Sequence, residues 1–242
     1  MTVSVCMAAW NSARFIREQI ASILPQLGEH DELVIVDDAS QDDTCAIIES
    51  FCDARLRVVR QERNLGVVRS FAHALEEARG DIVFLADHDD IWRADKVEKF
   101  LQLFREHPEV TVAMSDLVVI DASGTVVSEP RFGDKKFHAG LLRNLVRNRY
   151  QGSAMAFRRS VLQRCLPFPA DIPMHDQWIG LVNQFRGRTG FIPEPLLFYR
   201  RHGANESPST HAAWGKMLRW RWAMLKNLVL RYARRRPDRS GS

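Results

Sequence analysis

The stretch Ile82-Val83-Phe84-Leu85-Ala86-Asp87-His88-Asp89-Asp90-Ile91-Trp92 joins an apolar run to three aspartates in a single turn. The apolar run is typical of a buried strand, so the aspartates are expected to follow the end of that strand. Carboxylates crowded together repel one another, and water, a basic neighbour or a divalent cation must offset that repulsion. The Asp87-x-Asp89 spacing suits a metal ion that holds a diphosphate, because carboxylate oxygens favour hard ions such as Mg²⁺ or Mn²⁺. A solvated acidic loop is the alternative that this triplet alone leaves open.

Strand patterns and helix patterns alternate along the first half of the chain. The strands are predicted at about 3–9, 32–36, 56–59 and 82–86. The helices are predicted at about 12–24, 43–52, 67–78 and 94–106. This alternation is typical of a mainly parallel sheet with helices on both faces, whose ligands bind beyond the carboxyl ends of the strands. Asp37-Asp38 and Asp87–Asp90 both follow strand ends, which independently indicates a site there.

The second half of the chain is less regular. Strand patterns are predicted at about 110–120, 152–157 and 191–199, with Thr125-Val126-Val127 returning after a turn. A loop is predicted over about 128–136, and a short helix is expected to carry His175-Asp176-Gln177-Trp178. Trp92 and Trp178 are expected to be packing residues first.

Composition limits the classes of protein that the chain can be. Its 242 residues fit one large α/β domain, or a domain with an appendage, and a hydrophobic share of 45% is enough for a core. The four cysteines form no CxxC pair, which argues against a zinc site or a disulfide framework and favours a reducing compartment. The first residues lack a secretory pattern and no apolar run approaches about 20 residues, so a cytoplasmic protein is expected.

The turn after the first predicted strand excludes two common ways of binding a nucleotide. Its residues are Ala8-Ala9-Trp10-Asn11-Ser12, which form neither a GxGxxG nor a phosphate-binding loop. A sugar nucleotidyltransferase would also need a glycine-rich loop bearing lysine or arginine at this place. A nucleotide would therefore be held by side chains and a metal ion.

Four segments, in this order and at this spacing, resemble family 2 glycosyltransferases with the GT-A fold. They are Val3–Asn11, Glu32–Ser40, Arg63-Asn64-Leu65-Gly66 and Asp87–Trp92. The similarity is strong over residues 1 to about 120 and continues more weakly through His175-Asp176 and Tyr199–Asn205. The form of Asp87–Trp92 and the ending Tyr199-Arg200-Arg201-His202 look most like bacterial rhamnosyltransferase-type members. The resemblance implies an α/β fold in which a Rossmann-like, mainly parallel sheet is flanked by helices, with a smaller mixed portion on the acceptor side.

The resemblance also implies which residues bind a nucleotide-sugar donor. Asp38 would hydrogen-bond the pyrimidine base, and Trp10 stands where the family often has a tyrosine that stacks on it. Ala8 stands where some members carry a hydroxyl, a contact that alanine cannot supply, so the choice between UDP and dTDP donors stays open. Arg69 and His88 would lie near the donor.

The same resemblance implies a metal site and a catalytic base. Asp89 would bind Mg²⁺ or Mn²⁺ directly with Asp87 nearby, and His202 would be a further metal ligand or a diphosphate contact. Asp176 matches the base that accepts the acceptor proton. From the residues alone, Asp176 could instead cap a helix and His202 could be a surface histidine.

The function implied is an inverting, metal-dependent transfer of a sugar to a hydroxyl of a glycan or lipid-linked acceptor, in bacterial surface polysaccharide synthesis. The chain divides into a nucleotide-sugar half at 1–120, an acceptor-side half at 121–207 and a C-terminal segment at 208–242. A non-catalytic nucleotide-sugar or membrane-binding module and a sugar nucleotidyltransferase are the alternatives.

The C-terminal segment is predicted to form a basic amphipathic helix over about 211–235. Six apolar residues are predicted on one side: Trp214, Leu218, Trp222, Leu225, Val229 and Tyr232. Basic residues fall mostly opposite: Lys216, Arg219, Lys226 and Arg234, with Arg221 intruding on the apolar arc. This pattern suits peripheral contact with the inner face of the cytoplasmic membrane, or packing on the chain's own domain or on a homodimer partner. The regular tryptophans and leucines argue against nucleic-acid binding.

Overall fold

The computed structural model describes residues 1–132, 140–146, 148–202 and 214–233. Within these ranges eight strands join one sheet: β1 (Val3–Ala9), β2 (Glu32–Asp37), β3 (Leu56–Arg60), β4 (Ile82–Asp87), β5 (Ile91–Trp92), β6 (Val110–Ile120), β7 (Met155–Arg158) and β8 (Arg188–Arg200). The α-helices of these ranges are α1 (Ile16–Ile23), α2 (Thr44–Glu49), α3 (Val67–Glu77), α4 (Lys96–Glu106), α5 (Leu141–Val146), α6 (Leu162–Cys165), α7 (His175–Asn183) and α8 (Trp214–Ala233).

The sheet has the strand order β3-β2-β1-β4-β7-β6-β8-β5. Strands β3, β2, β1 and β4 run parallel, as the alternating pattern predicts, and β6 pairs parallel with β8. Strand β7 is antiparallel to both β4 and β6, and β5 is antiparallel to β8. The predicted α/β fold with a mainly parallel sheet is confirmed.

Helices cover both faces of the sheet because the strands are apolar on both sides. In β1, Val5 and Met7 face one cluster and Cys6 faces the other, and all three are fully buried. The first cluster includes α1 and α4, and the second includes α3, α7 and α8. Trp92 and Trp178 are buried in these clusters, as expected of packing residues.

The parallel register brings three strand ends together. Ala8 of β1 pairs with Val36 of β2 on one side and with Asp87 of β4 on the other. Residues that follow these strands therefore share one edge of the sheet, which is where a parallel sheet binds ligands.

Several predicted elements have other bounds in the structure: α2 ends at Glu49 rather than near residue 52, and β8 begins at Arg188 rather than near residue 191. Helix α1 begins at Ile16 rather than near residue 12, because residues 12–15 form a turn in which the carbonyl of Ser12 accepts the N–H of Phe15. The strand predicted at 152–157 begins only at Met155, since Gly152–Ala154 form a 3₁₀ turn. Instead of a strand at 125–127, a single bridge joins Val126 to Ile120. Of the loop predicted at 128–136, residues 128–132 are in neither helix nor strand, as predicted, and the rest lie outside the described residues.

Candidate active site

The acidic turn lies at the carboxyl end of β4 and is held by its backbone. The carbonyl of Asp87 accepts a hydrogen bond from Gln19 Nε2 at 2.7 Å, and the carbonyl of Asp89 accepts one from Arg200 Nε at 2.8 Å. Asp89 is 6% exposed and Asp90 is fully buried. These hydrogen bonds therefore hold the backbone of the turn in one conformation.

Arg200, the last residue of β8, is the main organiser of this turn. Its guanidinium is almost fully buried and forms a salt bridge to Glu18 Oε2 at 2.5 Å, while its backbone N–H donates to Asp90 Oδ1 at 2.9 Å. A second guanidinium nitrogen donates to the carbonyl of Ala122 at 3.2 Å. A buried guanidinium needs such partners, because an unpaired charge in the interior is costly. Sequence reasoning used Arg200 only as part of a motif and missed this role.

His202, two residues beyond β8, meets the acidic turn. Its Nε2 lies 2.9 Å from Asp89 Oδ2, and its ring centroid lies 4.7 Å from that of Phe15. Both side chains are largely buried, at 11% and 9% exposure. Two residues expected to bind a metal ion, 113 positions apart in the chain, are thus in direct contact.

The electrostatics of the turn are those of crowded acids with little water. Burial raises the pKa of Asp87 to about 7, and repulsion from Asp89 and Asp176 adds to that rise. Burial also raises the pKa of Asp90 well above its usual range. A bound cation would relieve this repulsion, since an opposite charge favours the ionised carboxylate.

A buried lysine supplies part of the missing positive charge. Lys96 begins α4 and donates from Nζ to the carbonyl of Ser153 at 2.5 Å, with its ammonium 4.1 Å from the ring centroid of Trp92. Burial lowers the pKa of Lys96 to about 7, and Asp90 and Asp87 oppose that fall. No sequence signal marked this residue, because nothing local distinguishes a buried lysine from an exposed one.

The donor set fits a hard divalent ion in its chemistry. Asp89, Asp87 and His202 offer carboxylate oxygens and an imidazole nitrogen, which Mg²⁺ or Mn²⁺ accept. Across the described ranges, however, no three such side chains are already arranged as a closed metal site. Substrate phosphate oxygens and water would complete the coordination, as is usual for such ions.

Asp176 is the second residue of α7 and lies close enough to Asp87 to repel it. Its Oδ2 accepts the N–H of Gly152 at 3.1 Å, and its Oδ1 accepts the N–H of Gln177 at 2.6 Å. Burial raises the pKa of this half-buried carboxyl to about 6. The N-cap position of α7 belongs to Met174, and Asp176 lies in the first turn, where an acidic side chain also stabilises the helix N-terminus.

His175, beside Asp176, anchors the start of α7. Its ring stacks on Phe71 of α3 with centroids 4.0 Å apart. Burial lowers the pKa of His175 to about 3, so the ring is neutral in the folded protein. The stack ties the helix that carries Asp176 to α3 on the donor side.

Asp38 has a structural task that its sequence position did not reveal. Its two carboxylate oxygens accept the N–H groups of Leu65 and Gly66, at 2.7 and 2.8 Å. Gly66 has φ 86°, a conformation that favours glycine, and leads directly into α3. Asp38 therefore fixes the loop before α3, whose first turn carries the exposed side chain of Arg69.

The loop after β1 presents Trp10 to solvent. Asn11 has φ 47°, accepts the N–H of Gln41 at its Oδ1 and donates its own N–H to Ser40 Oγ, at 2.8 and 2.9 Å. These bonds tie the loop to the one after β2, and Trp10 remains 47% exposed. An exposed indole on a fixed loop can stack on a flat ring.

The structure therefore divides the expected site residues into two neighbouring groups. Asp87, Asp89, His202 and Asp176 are linked by contact or by electrostatic repulsion. Ala8, Trp10, Asp38 and Arg69 lie on or after β1 and β2 or at the start of α3, at the same sheet edge. His88 is partly exposed within the acidic turn. All of these assignments remain predictions of role.

Comparison with known proteins decides the family. Residues 4–166 match the family described as glycosyl transferase family 2. This chain belongs to that family. Among its relatives, this family 2 chain is 28% identical to an uncharacterized glycosyltransferase of Nostoc sp. over 224 residues, which are 88% of the chain and 69% of the relative. It is 39% identical over 106 residues to the putative teichuronic acid biosynthesis glycosyltransferase TuaG of Bacillus subtilis, covering 43% of the chain and 42% of TuaG.

A solved structure supports the fold of this family 2 protein. The crystal structure of S. aureus TarS 1-349 in complex with UDP-GlcNAc matches with a TM-score of 0.76 and 20% identity, over 96% of the chain. The match spans 66% of the TarS chain, so that protein is longer than the family 2 chain described here. The GT-A expectation is thereby confirmed at the level of fold.

Among the described residues, none of the helices combines the length and the apolar character needed to cross a membrane.

Proposed function

We propose that this protein is an inverting, divalent-metal-dependent glycosyltransferase. It moves a sugar from a UDP- or dTDP-linked donor to a hydroxyl of a glycan or lipid-linked acceptor. The single observation that carries the proposal is the approach of Asp176 to the acidic turn where Asp89 meets His202. The proposed base therefore lies beside the residues proposed to hold the diphosphate, in a chain that belongs to glycosyl transferase family 2.

Asp89, His202 and Asp87 would hold Mg²⁺ or Mn²⁺. When bound, the ion neutralises the negative charge that grows on the departing diphosphate. Arg200 and Gln19 keep the turn in place by binding its carbonyl oxygens. The residues of the turn therefore act as a fixed frame for the leaving group, which avoids reorganisation during reaction.

Asp176 would take the proton of the acceptor hydroxyl as that oxygen attacks the anomeric carbon of the donor. The N–H groups of Gly152 and Gln177 hold its carboxylate in one orientation. Attack from the face opposite the leaving group inverts the anomeric centre, and one base is enough because no covalent intermediate forms. The raised pKa of Asp176, about 6, makes the carboxylate a stronger base than an exposed aspartate.

The donor would lie across the ends of β1 and β2. Trp10 would stack on the base, Asp38 would contact it at the loop before α3, and Ala8 would form the floor. Arg69 and His88 would approach the phosphates or sugar. The exposed indole of Trp10 and the cross-linked loops after β1 and β2 support this placement.

One relative supports a biological setting for the proposed transfer. TuaG is described as a putative teichuronic acid biosynthesis glycosyltransferase, which supports a role in bacterial surface polysaccharide synthesis. Rhamnosyl transfer is the finer assignment that the sequence motifs favour. We place the protein in the cytoplasm, peripheral to the inner face of the membrane, with a homodimer as the competing arrangement. The same proposal divides the chain into a nucleotide-sugar half at 1–120, an acceptor-side half at 121–207 and a C-terminal segment at 208–242.

Donor turnover tests the proposal directly. We expect the full chain with Mn²⁺ to release nucleoside diphosphate from a UDP- or dTDP-sugar in a screen that also includes GDP-sugars. Binding of a donor without release of diphosphate from any of them would favour a non-catalytic module. Formation of a nucleotide sugar from a nucleoside triphosphate and a sugar phosphate would identify a nucleotidyltransferase instead.

A further inference from the structure

Helix α8 packs on its own domain through one face. Met224 and Leu228 are 1% and 3% exposed, and the hydroxyl of Tyr232 donates to the carbonyl of Val182 at 2.7 Å. The guanidinium of Arg231 donates to three carbonyl oxygens, those of Arg164, Leu166 and Pro167. The helix is therefore fixed to the domain, and its orientation is set.

The face used for this packing is not the apolar face that the sequence predicted. Tyr232, expected on the apolar stripe, is half-buried and stacks on Phe185 with ring centroids 4.0 Å apart. The periodicity identified an apolar arc but could not show which side of the helix meets the domain. The side chain of Trp214 lies outside the described residues.

Four apolar side chains of α8 remain exposed in a row, and we call them the outer stripe. They are Leu218 at 60% exposure, Trp222 at 67%, Leu225 at 42% and Val229 at 57%. Their spacing of four, three and four residues places them on one line along the helix. These side chains are not needed to hold α8 on the domain, and exposed apolar side chains in a continuous line are typical of an interaction site. The outer stripe therefore indicates a docking surface.

The charge around the outer stripe identifies what it can dock on. Residues 207–237 contain eight lysines and arginines and neither aspartate nor glutamate. Arg219 is exposed on the flank of the stripe, and Lys226, on the same flank, is exposed but paired with Asp171 at 2.5 Å. A two-fold dimer through this stripe would set the same basic segment of two copies side by side, which is unfavourable.

We infer that the outer stripe docks on an anionic lipid surface. Leu218, Trp222, Leu225 and Val229 enter the boundary between headgroups and acyl chains, and the indole of Trp222 suits that depth. Arg219 and the neighbouring basic residues lie at the level of the lipid phosphates, where each adds electrostatic attraction. The helix lies in the plane of the interface rather than crossing the bilayer.

The place of α8 in the fold gives this docking a consequence, which rests on the proposed glycosyl transfer. Helix α8 contacts α5, and the carbonyl of Asn144 in α5 accepts a hydrogen bond from Gln177 Nε2 at 2.8 Å. Gln177 adjoins Asp176, so α5 is the one element that lies between the docking helix and the helix that carries the candidate base. Lipid docking then brings the acceptor side of the site towards the bilayer, where a lipid-linked hydroxyl is found.

Vesicle flotation of the full chain tests the inference without any need for activity. We expect flotation with phosphatidylcholine vesicles that contain about 30% phosphatidylglycerol, and a large loss of binding in pure phosphatidylcholine. Raising salt from about 0.05 M to about 0.5 M should weaken binding, because it screens the basic residues. The double variant Leu218→Ser, Trp222→Ser should bind about tenfold or more weakly, because it loses most of the inserted apolar area.

The matched control is Val126→Ser with Val127→Ser, which removes two apolar side chains of 51% and 58% exposure far from α8 in sequence. This control should float like the wild type, and both variants should keep the wild-type melting curve and donor turnover. Failure of the wild type to float, or flotation of the stripe variant at the wild-type level, overturns the inference. A wild-type dimer that the stripe variant converts to a monomer, with no flotation, also overturns it. Absence of donor turnover in a wild-type protein that floats would instead contradict the proposed function and leave the lipid docking standing.

Discussion

His202 Nε2 and Asp89 Oδ2 are 2.9 Å apart, although 113 residues separate them in the chain. Arg200, two residues before His202, binds the carbonyl of Asp89 at 2.8 Å. The end of β8 and the turn after β4 therefore form one unit, in which the residues proposed to bind a metal ion and the residue that supports them come from the same two segments.

The first prediction concerns the ion that this unit would hold. We expect Asp89→Ala to abolish Mn²⁺-dependent binding of UDP, and His202→Ala to weaken it about tenfold or more, because each removes a metal-binding side chain. Isothermal titration calorimetry of UDP with and without Mn²⁺ measures both effects. His107→Ala, which changes an exposed histidine outside the site, is the control and should bind like the wild type. Unchanged affinity in Asp89→Ala would remove Asp89 from the metal site.

The second prediction concerns the base. Asp176→Asn should lower kcat by about 10²- to 10⁴-fold, because the amide cannot accept the acceptor proton, while donor affinity stays within about twofold. Single-turnover kinetics and calorimetry separate these quantities. Asp43→Asn changes an exposed carboxylate and should leave kcat unaltered. If Asp176→Asn turns over normally, another group is the base.

The third prediction is the pH dependence that the same carboxylate imposes. Burial raises the pKa of Asp176 to about 6, and only the ionised form can accept a proton. The value of kcat/KM should therefore be level above pH 6 to 7 and fall about tenfold per unit below pH 6. A pH profile with a Mn²⁺-saturated enzyme measures this. The residual activity of Asp176→Asn should lack the acid limb, and retention of that limb would assign it to a different group.

The fourth prediction concerns Arg200. Arg200→Met should lower the free energy of unfolding by about 1–3 kcal/mol, because the carbonyls of Asp89 and Ala122 lose a buried donor, whereas Glu18 is 59% exposed and stays solvated. Urea denaturation measures the loss, and the surviving folded protein should show a raised KM for the donor. Arg201→Met, at an exposed neighbouring position, should change stability by no more than about 0.5 kcal/mol. Equal stability of the two variants would contradict the organising role of Arg200.

The sequence alone predicts those parts of the fold that depend on local residue patterns. Strands β1, β2 and β4 are short apolar runs that end in acidic or turn residues, so their places and their shared edge could be predicted. Strands β6 and β8 could be predicted only singly, because their pairing joins residues 77 to 80 positions apart through register shifts. Their order in the sheet is set by tertiary packing, which local patterns do not record.

The candidate site divides in the same way. Asp87, Asp89 and Asp176 lie in short motifs whose acidic residues are visible in the sequence, so they could be predicted as site residues. Lys96 and Arg200 act because they are buried, and burial of a charge depends on partners elsewhere in the chain. The two oxygens of Asp38 are used by Leu65 and Gly66, a task that only coordinates reveal.

The last prediction uses His175 to report on folding. Burial holds the folded pKa at about 3, against an ordinary value of 6.5. Between these values the unfolded chain binds a proton that the folded protein does not, so the free energy of unfolding should fall as pH drops below 6.5, by up to about 1.4 kcal/mol per unit. The raised pKa values of Asp87 and Asp176 act in the opposite direction over part of this range. The test must therefore compare slopes between variants.

His175→Gln keeps a neutral polar side chain but removes the titrating ring. Urea denaturation between about pH 7 and pH 5 measures how the free energy of unfolding changes with pH. This slope should be smaller in the variant than in the wild type, by the equivalent of up to one bound proton. His107→Gln, at an exposed histidine, should keep the wild-type slope. If His175→Gln and the wild type lose stability in parallel, the ring is not buried as a neutral group, and the stack on Phe71 does not anchor α7 in solution.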